Sequence, residues 1–159
     1  MKKIFASTVI ALLLLTVLAG IGYAAHAADV QLPFKGSLQA VETYKVDFPT
    51  LFVDGSGSGN ATHLGLFTAS YKVVVDIVKG AGPASARFVA ANGDSLFAEG
   101  SGLGVPTGTP NVNRIVEKYT ITGGTGRFAG ATGSFTVERL VNLVTGATSG
   151  TFDGSIVIH

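Results

Sequence analysis

The sequence predicts an all-β fold, a small antiparallel eight-stranded β-barrel, and three observations carry that prediction. After residue 28 no apolar rhythm of i, i+3, i+4, i+7 is sustained, whereas apolar and polar residues alternate repeatedly with period two. The alternating runs are separated by clusters of Gly, Pro, Asn and Asp. Eight such runs in one small domain must bury one face and manage two sheet edges, and closing the sheet does both.

The chain opens with MKKIFASTVIALLLLTVLAGIGYAAHA, which has the layout of a secretory signal peptide. Two lysines precede an apolar stretch from Ile4 to Tyr23, and Ala25 and Ala27 flank His26 in an A-x-A pattern. Cleavage is expected after Ala27, giving a signal peptide over 1–27, a single barrel domain over 28–159, and a secreted or periplasmic product with no stable membrane insertion. An uncleaved anchor is the alternative, because at ~1.5 Å per residue the apolar stretch is long enough to cross a bilayer.

The first strand is expected over Phe34–Val46, with Phe34, Leu38, Ala40, Glu42 and Tyr44 on one face. The second, Leu51–Asn60, contains GSGSG at 55–59; alternating small residues suit a bent strand at a barrel corner, although a linker has the same composition. In the third, Thr62–Val78, the residues His63, Gly65, Phe67, Ala69, Tyr71, Val73, Val75 and Ile77 share the face assigned to the interior. The fourth and fifth, Ser85–Ala91 and Ser95–Leu103, flank Asn92-Gly93, a strong hairpin signal. Pro106 and Pro110 around Gly108 mark the next stretch as a loop without regular structure.

The sixth strand, Val112–Thr122, turns Ile115, Glu117, Tyr119 and Ile121 inward. Gly123 and Gly124 are expected to break it, TGRFAGA to form a compact or single helical turn whose Phe128 caps the barrel end, and Gly133 to let the next strand depart. That seventh strand, Ser134–Val144, places Phe135, Val137, Arg139, Val141 and Leu143 inward, and the eighth is Thr151–Ile158. Leu64, Leu66, Val74, Leu140 and Val144 fall on outward rows.

Composition excludes several chemistries. The chain has no cysteine, hence no disulfide, thiolate metal site or cysteine nucleophile. Beyond the leader only His63 and His159 remain, with no H-x-H or H-E-x-x-H spacing, so no metal site is expected. Removing residues 1–27 takes two of the 11 basic residues and none of the 10 acidic ones, which leaves 9 against 10, a net charge of −1. That balance points to no nucleic-acid partner. The glycines of GGTGRFAG lack the G-x-G-x-x-G spacing, the helix and the Gly-Lys-Ser/Thr of nucleotide loops, and no cofactor is expected. GSGSG only partly imitates a G-x-S-x-G nucleophile turn.

Gly123, Gly124, Thr125, Gly126, Phe128, Ala131 and Gly133 together resemble the segment G-G-(S/T)-G-x-F-x-x-A-x-G of the allene oxide cyclase and dirigent-like barrel superfamily, a calycin-like fold. The stretch GNATHLGLFT at 59–68 is similar to one in bacterial exported proteins that also carry ANGD and GGTGRFAGATG in this order. The resemblance spans Gly59 to Phe152. It implies a barrel that handles small, largely apolar molecules, with homotrimers common, and it transfers no catalytic residue.

Polar side chains on the inward face are the informative exceptions. Glu42, Glu117, Tyr119 and Arg139 are the candidates for chemistry, and His63, Phe67, Tyr71, Tyr44 and Phe135 for ligand contact. Glu117 is the nearest inferred partner of Arg139; the pair serves either to satisfy buried charge or to furnish a pocket. Three functions follow: a binding module for a small apolar or amphipathic molecule; a cyclase or isomerase in which Glu42 or Glu117 moves a proton and Tyr119 or Arg139 steadies negative charge; or a non-catalytic assembly protein using its outward apolar rows.

Overall fold

The computed structural model describes residues 30–159, so the expected signal peptide, its cleavage point and His26 lie outside the described residues. Eight strands form a closed antiparallel barrel in sequential order: β1 (Gln31–Asp47), β2 (Thr50–Ala61), β3 (Gly65–Asp76), β4 (Ala81–Ala90), β5 (Ser95–Pro106), β6 (Val112–Gly124), β7 (Thr132–Asn142) and β8 (Ala147–Val157). Each strand pairs with its chain neighbour, and β1 closes on β8 from Gln31↔Val157 to Val41↔Ala147. The expected all-β class and the eight strands are therefore present.

Several expectations change at the strand ends. Pro106 is the last residue of β5 rather than part of the loop, at a place where the β4 ladder has already ended at Leu103. A lost N–H is tolerated there because no partner strand is waiting for it. Gly123 and Gly124 do not end the sixth strand. The register slips between Phe97 and Ala98, leaving Thr122 as the extra residue of a bulge, and Gly123 takes φ +131°, a conformation an L side chain resists. The one helical feature among the described residues is the single 3-10 turn Gly126–Phe128.

The interior is filled by pairing large residues against glycines on the adjoining strand. Tyr71 lies opposite Gly55, Phe67 opposite Gly59, Tyr119 opposite Gly100, Glu117 opposite Gly102, and Arg139 opposite Gly150. Gly154 lies between Phe34 and Phe135. The reason is volume: a barrel of eight strands is just wide enough for its own side chains, so a bulky residue needs a neighbour without one. A Cβ on Gly102 would stand 2.5 Å from Glu117 Cγ, and one on Gly55 would overlap the Tyr71 ring. GSGSG is thus the flank over which inward rings lie, within a continuous strand.

These rings divide the barrel into two halves. At the end holding the β2–β3, β4–β5 and β6–β7 connections, Phe34, Phe67, Phe88, Phe135 and Phe152 pack with centroids 5.2–6.2 Å apart, Tyr119 stacks on Phe135 at 5.2 Å, and Leu64, Leu96, Phe128 and Ile156 close the end. Offset and edge-to-face contacts of this kind add to the burial of the rings themselves. Phe128 is fully buried, as a cap must be. The opposite end has no comparable plug.

Candidate functional site

The unplugged end is an open cup of about 200 Å³ with aliphatic walls, among them Leu51, Val53, Val73, Val75, Ile115 and Val141, and a charged floor. Ile77 and Leu143, assigned inward by alternation, stand at its rim and are 40% and 43% exposed. They lie one residue beyond the ends of β3 and β7, where the barrel opens, so no opposing wall covers them.

The floor is built from β1, β3, β6 and β7. Alternation along each strand drives Glu42, Tyr71, Glu117 and Arg139 to the inside at one level, and closure through β8 brings β1 and β7 within reach of each other. Arg139 holds Glu117 as a fork, with Nε donating to Oε2 at 3.0 Å and Nη2 to Oε1 at 3.1 Å. Its Nη1 donates to Glu42 Oε1 and, at 3.1 Å, to Thr148 Oγ1. Tyr71 and Tyr44 donate their phenol hydrogens to Glu42 Oε1 and Oε2 at 2.8 and 2.9 Å. The Tyr71 ring also lies under the guanidinium, 5.3 Å from centroid to Cζ.

All three charged side chains are only 3–4% exposed, and among the described residues no buried side-chain polar atom lacks a partner. This is the condition under which a charge can be kept in a low-dielectric interior. Burial pulls the Arg139 pKa down, but the hydrogen bonds and charge of Glu117 and the charge of Glu42 outweigh it and hold the group above its ordinary value. Burial, reinforced by Glu42, raises the Tyr44 phenol above the usual 10.0; Tyr71 is raised by burial despite the opposing Arg139 charge, and Tyr119 by burial and Glu117. The phenols therefore stay protonated at neutral pH, and those of Tyr44 and Tyr71 act as donors.

The candidate residues separate into three places. Glu42, Glu117, Arg139 and Tyr44 line the cup, with Tyr71 in the network beneath Glu42. Tyr119, Phe67 and Phe135 belong to the plug instead, and Tyr119 faces a smaller cavity of about 20 Å³ below the floor. The inward placement expected for His63 needs correction. The residue is exposed in the β2–β3 turn, at φ +60°, and the strand begins two residues later at Gly65, so alternation counted back from Phe67 does not reach it. For the same reason Leu64, assigned outward, is 1% exposed and closes the barrel end.

Thr148 and the cup walls from β2 were missed by the sequence reading. Thr148 lies outside the expected eighth strand, which starts four residues earlier than predicted, at Ala147. The signal that could have found it is the short distance from the Asn142–Gly146 turn, where Asn142 Oδ1 accepts from the Val144 and Thr145 amides at 2.9 and 3.1 Å. Among the described residues no group of three His, Cys, Asp or Glu could hold a metal ion, and no helix is long and apolar enough to cross a membrane. No family model, curated protein or solved structure matches the chain.

Proposed function

We propose that this protein is an exported binding module that holds a small apolar or amphipathic molecule in the open half of its barrel. The observation that carries this reading is the division of the interior: one half is packed solid with aromatic rings, and the other keeps a largely aliphatic-walled cup of about 200 Å³ with a charged floor and the Asn113 amide near its mouth. Apolar walls with a few converging polar groups are the usual make-up of a small-molecule site. A dry apolar cavity of about 150 Å³ already takes benzene, so this cup suits a ring with a short substituent rather than a whole lipid.

Native mass spectrometry of the protein purified from its source organism is expected to show a small molecule retained, and the same compound to raise the melting temperature of ligand-free protein. At a hundredfold excess over Kd the stabilisation is about 2.7 kcal/mol. An empty protein that also fails to respond to a panel of small terpenoids, amines and short lipids would sink the reading.

A second reading, isomerase or cyclase chemistry, draws support from Glu42. It is a buried carboxyl at the foot of an apolar cup, suitably placed to handle a proton. Arg139 is a poor candidate for steadying negative charge on a substrate, because four of its five N–H groups are already committed to Glu117, Glu42 and Thr148. Tyr119 lies on the wrong side of the floor. The enzymatic reading therefore narrows to Glu42, with Tyr44 beside it.

A further inference from the structure

We infer that the cup selects a small hydrophobic amine, bound as its cation with the ammonium group against Glu42 Oε2; this rests on the reading that the cup is a ligand site. Charge and hydrogen-bonding capacity are both unbalanced at the floor. Of the residues lining the cup, only Glu42, Glu117 and Arg139 are charged, so two carboxyl groups face one guanidinium. A buried carboxylate with no matching cation is costly, and a ligand that carries the missing positive charge relieves that cost.

The hydrogen bonds show where the mismatch lies. Glu117 is matched by the two-pronged fork from Arg139. Glu42 receives one guanidinium N–H and two phenol hydroxyls, which supply hydrogen bonds without charge. The unmatched charge therefore belongs to Glu42. Of its two oxygens, Oε1 accepts from both Tyr71 and Arg139, whereas Oε2 accepts only from Tyr44, a half-buried residue of the cup lining. A carboxylate oxygen has two lone-pair directions, so Oε2 has one to offer.

Donors are scarce on the same floor. Arg139 has five N–H groups and uses four of them on Glu117, Glu42 and Thr148. Both phenols point their hydrogens at Glu42. A fatty acid or another anion would find one spare N–H at the floor, the neutral Asn113 amide nearer the mouth, and two carboxyl groups repelling it. An ammonium group would find the opposite, with its hydrocarbon part against Val53, Val73, Val75, Ile115 and Val141. A metal ion is a weaker fit, since two carboxyl groups already engaged with Arg139 leave too few ligands.

The test is a calorimetric titration of the full protein at neutral pH with three probes that share one ring: cyclohexylmethylamine, cyclohexylmethanol and cyclohexanecarboxylate. The amine is expected to bind about tenfold or more tightly than the alcohol, with the carboxylate weakest. If the alcohol matches the amine to within about twofold, or the carboxylate binds best, the inference is overturned while the cup stands as a ligand site. If none of the three binds, the inference fails, and an empty protein in native mass spectrometry would then take the binding reading with it. Glu42→Gln, checked for folding by circular dichroism, is expected to abolish the amine preference. A folded Glu42→Gln protein that keeps it would remove Glu42 from the role. The wild-type ranking decides the matter by itself should that variant not fold.

Discussion

Arg139→Met is expected to lower the melting temperature by roughly 10–20 °C, the equivalent of about 3–5 kcal/mol in a domain of this size. The guanidinium is buried and is the single cation shared by Glu42 and Glu117. Removing it leaves two carboxyl groups facing each other across a floor that water barely reaches. An exposed pair such as Lys72–Asp54, by contrast, is worth about 0–1 kcal/mol. The double change Arg139→Met with Glu117→Leu should recover only part of the loss, because Glu42 keeps its carboxyl with Tyr44 and Tyr71 as its remaining donors. Adding Glu42→Gln should recover more, since an amide carries no charge; its oxygen still accepts from one of the two hydroxyls, and the other phenol can turn to accept from its NH2. Thermal unfolding followed by circular dichroism reads all three, and an unchanged melting temperature in Arg139→Met would mean that this network is not buried in solution.

Phe34→Ala is expected to cost about 3–5 kcal/mol while leaving ligand binding in the cup intact. Phe34 is fully buried, meets Phe135 edge-on at 5.3 Å and Phe152 at 5.2 Å, and faces Gly154 on the adjoining strand. Glycine cannot grow into the space that the ring vacates, so little collapse offsets the cavity. The cup lies at the other end, beyond the charged floor. Urea denaturation paired with calorimetry on the bound molecule checks both halves. A loss below about 1 kcal/mol would show that the rings do not form a packed plug.

Much of this arrangement is legible in the sequence. Alternation places Phe34, Leu38, Ala40 and Glu42, and Phe67, Ala69, Tyr71 and Val73, inside, and these positions are buried. Alternation works there because a two-residue period leaves no freedom once one face is buried. The Arg139–Glu117 pair was legible for the same reason, since it joins neighbouring strands. Glu42 was harder. Its contact with Arg139 depends on β1 and β7 both flanking β8, which is a consequence of closure rather than of any local pattern. His63 and Leu64 misled because turn geometry, not strand period, sets their direction. Which half would stay open was written in the distribution of aromatic rings: Phe34, Phe67, Phe88, Phe135 and Phe152 gather toward one end, and branched aliphatics occupy the other.

The pairing of Gln31 with Val157 has a mechanical meaning as well. Because β1 and β8 run antiparallel, the start of one and the finish of the other meet at the same end of their shared ladder. Tension applied between those two points loads the hydrogen bonds one at a time, from Gln31↔Val157 inward, instead of shearing all the pairs together. A barrel with no free edge at rest is thus one that a pull on its two ends peels open like a zip. Single-molecule stretching through residues 31 and 157 should therefore require less force than stretching through positions that load a ladder in shear, however high the melting temperature.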